Sequence, residues 1–141
     1  MVVFNGTIEV VVVEAKDLRP TVWSNRFASV MSGSEAGKGI LDAYCNVDVD
    51  EVVIGRTATK CKVANPSWDE KFKAEVHSGK AVGFTIFHNC AIPPDDFVAN
   101  CQMPFEEMDF SKPINDLWID LEPQGKLHIT IELHGTPTEG K

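Results

Sequence analysis

Apolar and polar positions alternate with a period of two through most of the chain, which predicts strands rather than helices. The alternation is plainest over residues 127–133. There Leu127, Ile129, Ile131 and Leu133 interleave with His128, Thr130 and Glu132, so one face is aliphatic and the other polar. Residues 7–15 form a second candidate, with Ile8, Val10 and Val12 on one face and Val11, Val13 and Ala15 on the other. A strand that is apolar on both faces belongs in the middle of a sheet. Stretches at 43–51, 57–63, 68–76, 81–87, 98–105 and 116–121 bring the expected strands to eight. Gly55, Asn65-Pro66, Ser78-Gly79, Pro93-Pro94 and the 123–125 segment punctuate them, because proline removes a ladder donor and glycine permits turn geometry. The best helical stretch, near 105–110, is worth only a turn or two, and the pattern suits a β-sandwich better than a helical bundle.

Two segments break the rhythm. Residues 19–39 lack sustained alternation and are rich in Ser and Gly from 29 onward, so they predict a long exposed loop. Residues 135–141 hold Gly, Pro and Thr with no core residue, which predicts a linker start and a chain that is a piece of something longer. At 141 residues the length suits one domain, and 43% hydrophobic with 24% charged residues is the composition of an ordinary globular core. The longest aliphatic run stops between Glu9 and Glu14, far short of the roughly 20 residues of a spanning helix. The first residues lack the basic start of a secretory signal. A net charge of −8 repels phosphate backbones and argues against nucleic acid as a partner. Cys45, Cys61, Cys90 and Cys101 form no close pair and read as reduced, partly buried thiols of an intracellular protein.

A set of motifs spread over nearly the whole chain resembles the N-terminal C2 domain of a novel, calcium-independent protein kinase C of the epsilon and eta type. They are Met1-Val2-Val3-Phe4-Asn5-Gly6, Leu18-Arg19-Pro20-Thr21 with Trp23-Ser24, Asp42-Ala43-Tyr44, Gly55-Arg56-Thr57-Ala58-Thr59-Lys60, Asn65-Pro66-Ser67-Trp68, Phe87-His88, Asp95-Asp96-Phe97-Val98-Ala99-Asn100-Cys101 and Trp118-Ile119-Asp120-Leu121-Glu122-Pro123. The resemblance implies an all-β, eight-stranded antiparallel sandwich with its functional loops at one end. The domain would span 1–134, with 135–141 as linker or tail. Only six residues precede the strand at 7–15, so the partner strand that calcium-dependent relatives place before it must come from elsewhere. Residues 127–133 can supply it, in the circularly permuted type II topology.

Calcium needs about six to eight oxygen ligands. The five aspartate slots of the calcium-binding members correspond, by resemblance, to Val22, Asp42, His88, Cys90 and Asp96. Three of these are not oxygen acids, so no calcium binding is expected, and Asp42 and Asp96 are expected to hydrogen-bond loop backbone instead. His88 and Cys90 make at most half a zinc site, and no metal or other cofactor is expected. The chain offers no nucleophile with its base and no phosphate-binding glycine loop, so no catalytic residues are expected, and the resemblance implies a regulatory part of a serine/threonine kinase.

At the same loop end, Val22, Trp23 and Phe27 on the first loop and Ile92, Pro93 and Pro94 on the third stand beside Arg19 and Arg26. Apolar tips flanked by guanidinium groups suit a bilayer interface, and each Lys or Arg near an anionic surface adds about 1 kcal/mol. The resemblance places phosphatidic acid and phosphatidylserine contact at Trp23, Arg26 and Ile92. A second basic surface, Arg56, Lys60 and Lys62, is expected on one strand face opposite Asn46 and Asp48, whose character weakens its field. Residues 14–21 match the stretch through which the epsilon type is thought to dock an anchoring protein. Ser29, three residues after Arg26, is a candidate phosphosite whose charge would oppose membrane contact. The expected function is weak, calcium-independent binding of anionic phospholipid membranes by a cytoplasmic module that translocates to the plasma membrane. Intramolecular contact with other regulatory domains would restrain the parent kinase. The alternative is a module that docks anchoring proteins or phosphopeptides.

Overall fold

The structure is a computed structural model, and it describes residues 2–19, 41–90 and 94–139. Eight strands form two four-stranded antiparallel sheets. They are β1 (Val2–Lys16), β2 (Ala43–Val49), β3 (Val52–Arg56), β4 (Ser67–Gly79), β5 (Ala81–His88), β6 (Asp96–Pro104), β7 (Ile114–Asp120) and β8 (Lys126–Glu139), with a 3-10 turn at Phe105–Glu107. One sheet has the order β4-β1-β8-β7 and the other β3-β2-β5-β6. β1 is flanked on both sides, as its two apolar faces require, and β8 lies along it from Lys126 to Glu139 as the permuted arrangement demands.

The core lies between the sheets. Ile8, Val10, Val12, Leu127, Ile129 and Ile131 point in from one side, and Cys45, Val47, Val82, Phe84 and Ile86 from the other, all fully buried. Each such aliphatic or aromatic side chain contributes about 1.5–3 kcal/mol by leaving water. Phe4 closes one end by stacking on Phe105 and Phe110, with ring centroids 5.0 and 5.9 Å away.

Three expectations need correction. The strand expected at 57–63 is absent, and the third strand is β3 instead. Asp50 and Glu51, read as the end of a long strand, are a two-residue turn with φ of 48° and 72°. Such a turn matches strand twist and tolerates Asp in the left-handed region. Asp48 accepts the Glu51 N–H, and the Asp50 carboxylate accepts the N–H groups of Lys80 and Ala81, so the acids themselves hold the reversal. Beyond Arg56 the chain leaves the continuous ladder: the buried Thr57 hydroxyl accepts the Cys45 N–H, and scattered backbone bonds, the isolated Lys60–Ala43 bridge among them, replace strand pairing.

The second correction concerns the tail. Residues 135–139, expected to begin a linker, are strand, paired with Val2, Val3, Phe4, Asn5 and Gly6. Pro137 is tolerated there because β7 pairs β8 only between Lys126 and Glu132, so the outer edge of β8 needs no N–H at 137. The third concerns the thiols. All four cysteines are free, Cys45 buried and Cys90 and Cys101 partly so, but Cys61 is exposed on the irregular segment.

Candidate functional site

The loop end is built where β1 ends, β2 begins and the β5–β6 connection turns. The Asn65-Pro66-Ser67-Trp68 motif anchors the first of these. Asn65 Oδ1 accepts the Asp17 N–H at 2.8 Å, the Pro66 carbonyl accepts the Ala15 N–H at 2.9 Å, and Trp68 fills the core. Arg19 is exposed, and its backbone N–H donates to Gln124 Oε1 at 3.1 Å, which ties the departing first loop to the β7–β8 turn.

Asp42 and His88 form the centre of this end. The Asp42 N–H donates to His88 Nδ1 at 2.9 Å, and the Asp42 carbonyl accepts the Asn89 N–H at 2.8 Å. Asp42 Oδ1 accepts the Lys62 N–H at 3.0 Å, so its carboxylate braces a neighbouring turn, as expected. His88 is buried, and its Nδ1 is committed to backbone. The expected backbone role for Asp96 belongs instead to Asp95. Asp95 Oδ1 accepts the Cys90 N–H at 3.0 Å and Oδ2 accepts the Tyr44 hydroxyl at 2.5 Å, whereas Asp96 Oδ2 is buried without a hydrogen-bond partner.

The charges here are arranged around one carboxylate. The Tyr44 hydroxyl and then the Cys90 N–H hold the Asp95 carboxyl below its ordinary value, because both donate to the charged form. The Arg56 guanidinium lies 3.7 Å over the Tyr44 ring, completing a chain Arg56–Tyr44–Asp95–Cys90 from the end of β3 to the third loop. Burial, with the negative charges of Asp96, Asp95 and Asp42, pushes the Cys90 thiol up. That is the opposite of what a nucleophile requires.

The bond between Tyr44 and Asp95 is what sequence reasoning missed, although both residues lie in the motifs it singled out. The one signal was a carboxylate directly after Pro93-Pro94; the partner Tyr44 is 51 positions away. Val22, Trp23, Arg26, Ser29 and Ile92 lie outside the described residues. Arg56, Lys60 and Lys62 do not share a strand face, contrary to expectation. Arg56 ends β3, Lys60 sits in an isolated bridge, and Lys62 has a φ of 54°. Asn46 does face Arg56, while Asp48 faces Val53. A groove of about 350 Å³ on the outer face of the β3-β2-β5-β6 sheet carries Asp48 and Glu51 and no cation in its lining. Of the 14–21 stretch, Glu14 and Lys16 end β1, Lys16 lies 5.0 Å over the Trp118 ring, and Leu18 is buried.

A sandwich with this strand order and these loop-end slots is a C2 domain, and the C2 domain family model matches residues 6–121; the chain belongs to that family. Its relatives include "Protein kinase C-like 1B" of Caenorhabditis elegans, 49% identical over 96% of this chain and 19% of the relative. "Protein kinase C epsilon type" of Oryctolagus cuniculus is 43% identical over 99% of this chain and 19% of its own length. "Protein kinase C eta type" of Homo sapiens is 39% identical over 96% of this chain and 20% of its own. The chain thus spans about a fifth of the length of these relatives, and what it shares with them is their C2 domain, a non-catalytic part. Among solved structures, the calcium-bound pair of C2 domains of extended-synaptotagmin 2 superposes with a TM-score of 0.73 at 23% identity, covering 94% of this chain and 47% of that one. This is a likeness of fold. No helix among the described residues is long and apolar enough to cross a membrane.

Proposed function

We propose that the chain is the calcium-independent regulatory C2 domain of a protein kinase C of the epsilon and eta type, and that it binds anionic phospholipid weakly through its first and third loops. The observation that carries this reading is the bond from the Asp42 N–H to His88 Nδ1. A residue that would have to be a carboxylate ligand is an imidazole turned into the scaffold. Asp42 Oδ1 is likewise engaged by Lys62. Of the five slots that carry aspartate in calcium-binding members, only Asp42 and Asp96 hold a carboxylate, which supports the absence of a site needing six to eight oxygen ligands. Membrane contact then rests on Trp23 and Ile92 as apolar anchors, with Val22 beside them, and on Arg19 and Arg26 as cations. The acid-lined groove on the outer sheet face supports the loops, rather than that face, as the place for an anionic headgroup.

In the parent kinase the domain contacts other regulatory domains and restrains the enzyme until a membrane competes, moving from cytoplasm to plasma membrane as it does so. Phosphate on Ser29 weakens that contact. Sedimentation with phosphatidic acid vesicles tests the reading. Binding should be equal in calcium and in chelator, fall with salt, and drop in Trp23→Ala, Ile92→Ala and Ser29→Glu variants. Absence of binding in the unaltered domain would favour the docking of an anchoring protein or phosphopeptide instead.

A further inference from the structure

On the outer face of the β4-β1-β8-β7 sheet, three potential ligands converge. Glu9 on β1 stands directly opposite Glu132 on β8, and His134 follows two positions along on the same face of β8. His134 Nε2 is 3.3 Å from Glu9 Oε2 and 3.1 Å from Glu132 Oε1, and one donor atom from each of the three residues lies within 4.8 Å of the other two. We propose that Glu9, Glu132 and His134 form a zinc site that clips β1 to β8, with the fourth position open to water.

The argument is geometric first. Zinc takes imidazole nitrogen and carboxylate oxygen at about 2.0–2.2 Å in a tetrahedron, whose ligand atoms are therefore about 3.3–3.6 Å apart. The nitrogen-to-oxygen spacings are already close to that edge. The two main chains are locked in register by the ladder, so the donors are presented by rigid strands rather than by loops.

Charge gives a second reason. Glu9 and Glu132 are a cross-strand pair of like charges, which opposes the sheet unless a cation intervenes. The nearest lysine, Lys71, approaches Glu9 only to 4.0 Å, and a single His134 nitrogen is shared between two carboxylates.

The test is calorimetric titration of the metal-stripped chain with zinc chloride. A saturable one-to-one event is expected. It should weaken at least about tenfold in His134→Ala and in Glu132→Gln, since even outer-shell changes cost that much. Both residues are partly exposed on the sheet surface, and unchanged circular dichroism would show that the variants fold. Titration with cobalt should give a visible spectrum without a thiolate charge-transfer band, unaltered by Cys61→Ser. Zinc affinity in the two variants equal to that of the unaltered chain, or a thiolate band lost in Cys61→Ser, would overturn the assignment and move the metal to a cysteine.

Discussion

The hydroxyl of Tyr44 on β2 donates to Asp95 Oδ2 across 2.5 Å, linking a buried sheet residue to the carboxylate that also receives the Cys90 N–H of the third loop. Tyr44 is the single tyrosine of the chain, so its ionisation is read directly from tyrosinate absorbance. Burial first, and then the bond to Asp95, push it up to about 12, against the pull of Arg56. The native midpoint should therefore lie near pH 12, against about 10 in urea. Because the folded state holds this proton more tightly, the associated stability is complete below pH 10 and disappears as pH climbs through 12. Asp95→Asn should move the native midpoint down; a midpoint near 10 in the unaltered domain would remove the bond from the account.

The same contact acts with the opposite sign in acid. Tyr44 and Cys90 hold Asp95 below its ordinary value, so the unfolded chain takes up this proton first, and stability falls as pH drops below about 4. Tyr44→Phe should cost about 1.5 kcal/mol at neutral pH, the usual worth of a hydrogen bond to a charged group. It should also leave a shallower decline on acidification. Urea midpoints from neutral pH down to about pH 3 measure both effects, and identical curves for the two proteins would refute them.

This brace was not legible in the sequence, whereas much of the fold was. Leu127, Ile129 and Ile131 are fully buried because strict alternation leaves one choice of face, and the double-sided apolar run of β1 placed it between two neighbours. The reversal at Asp50 and Glu51 carries no glycine or proline, so period two ran straight through it and displaced the next strand. Val52 and Val53 are 69% and 59% exposed, so hydrophobicity could not mark β3 as half-buried strand. Asp95 owes its role to Tyr44, and no local pattern reports a contact between residues so far apart.

Thiol reactivity should divide the cysteines. Cys45 is fully buried and its thiol is pushed up by that burial, while burial alone pushes Cys101 up to about 12. Cys90 is also raised, first by burial, and Cys61 is exposed. Since the thiolate is the reactive species, a chromogenic disulfide reagent at about pH 8 should titrate one fast thiol in the native domain and four in urea. Cys61→Ser should abolish the fast phase. A second fast thiol would mean that the third loop opens around Cys90.

The pairing of residues 135–139 with the start of β1 has its own consequence for stability. Gly6 and Gly135 oppose each other, Gly6 has a φ of 150°, and the two backbones approach so closely that a Cβ on Gly135 would lie 2.2 Å from the Asn5 carbonyl oxygen. The same Cβ would meet the Phe4 ring at 2.9 Å, and Phe4 is the residue stacked between Phe105 and Phe110. Backbone cannot yield as a flexible side chain does, so Gly135→Ala must shift β8 or β1 and disturb that stack. A cost of about 3 kcal/mol is expected, at the upper end for a single strained position. Thr136→Ala, one residue on and exposed, should stay within about 0.5 kcal/mol. Chemical denaturation of the two variants separates a strand from a tail. A linker would tolerate both changes equally, and equal midpoints would return 135–139 to that reading.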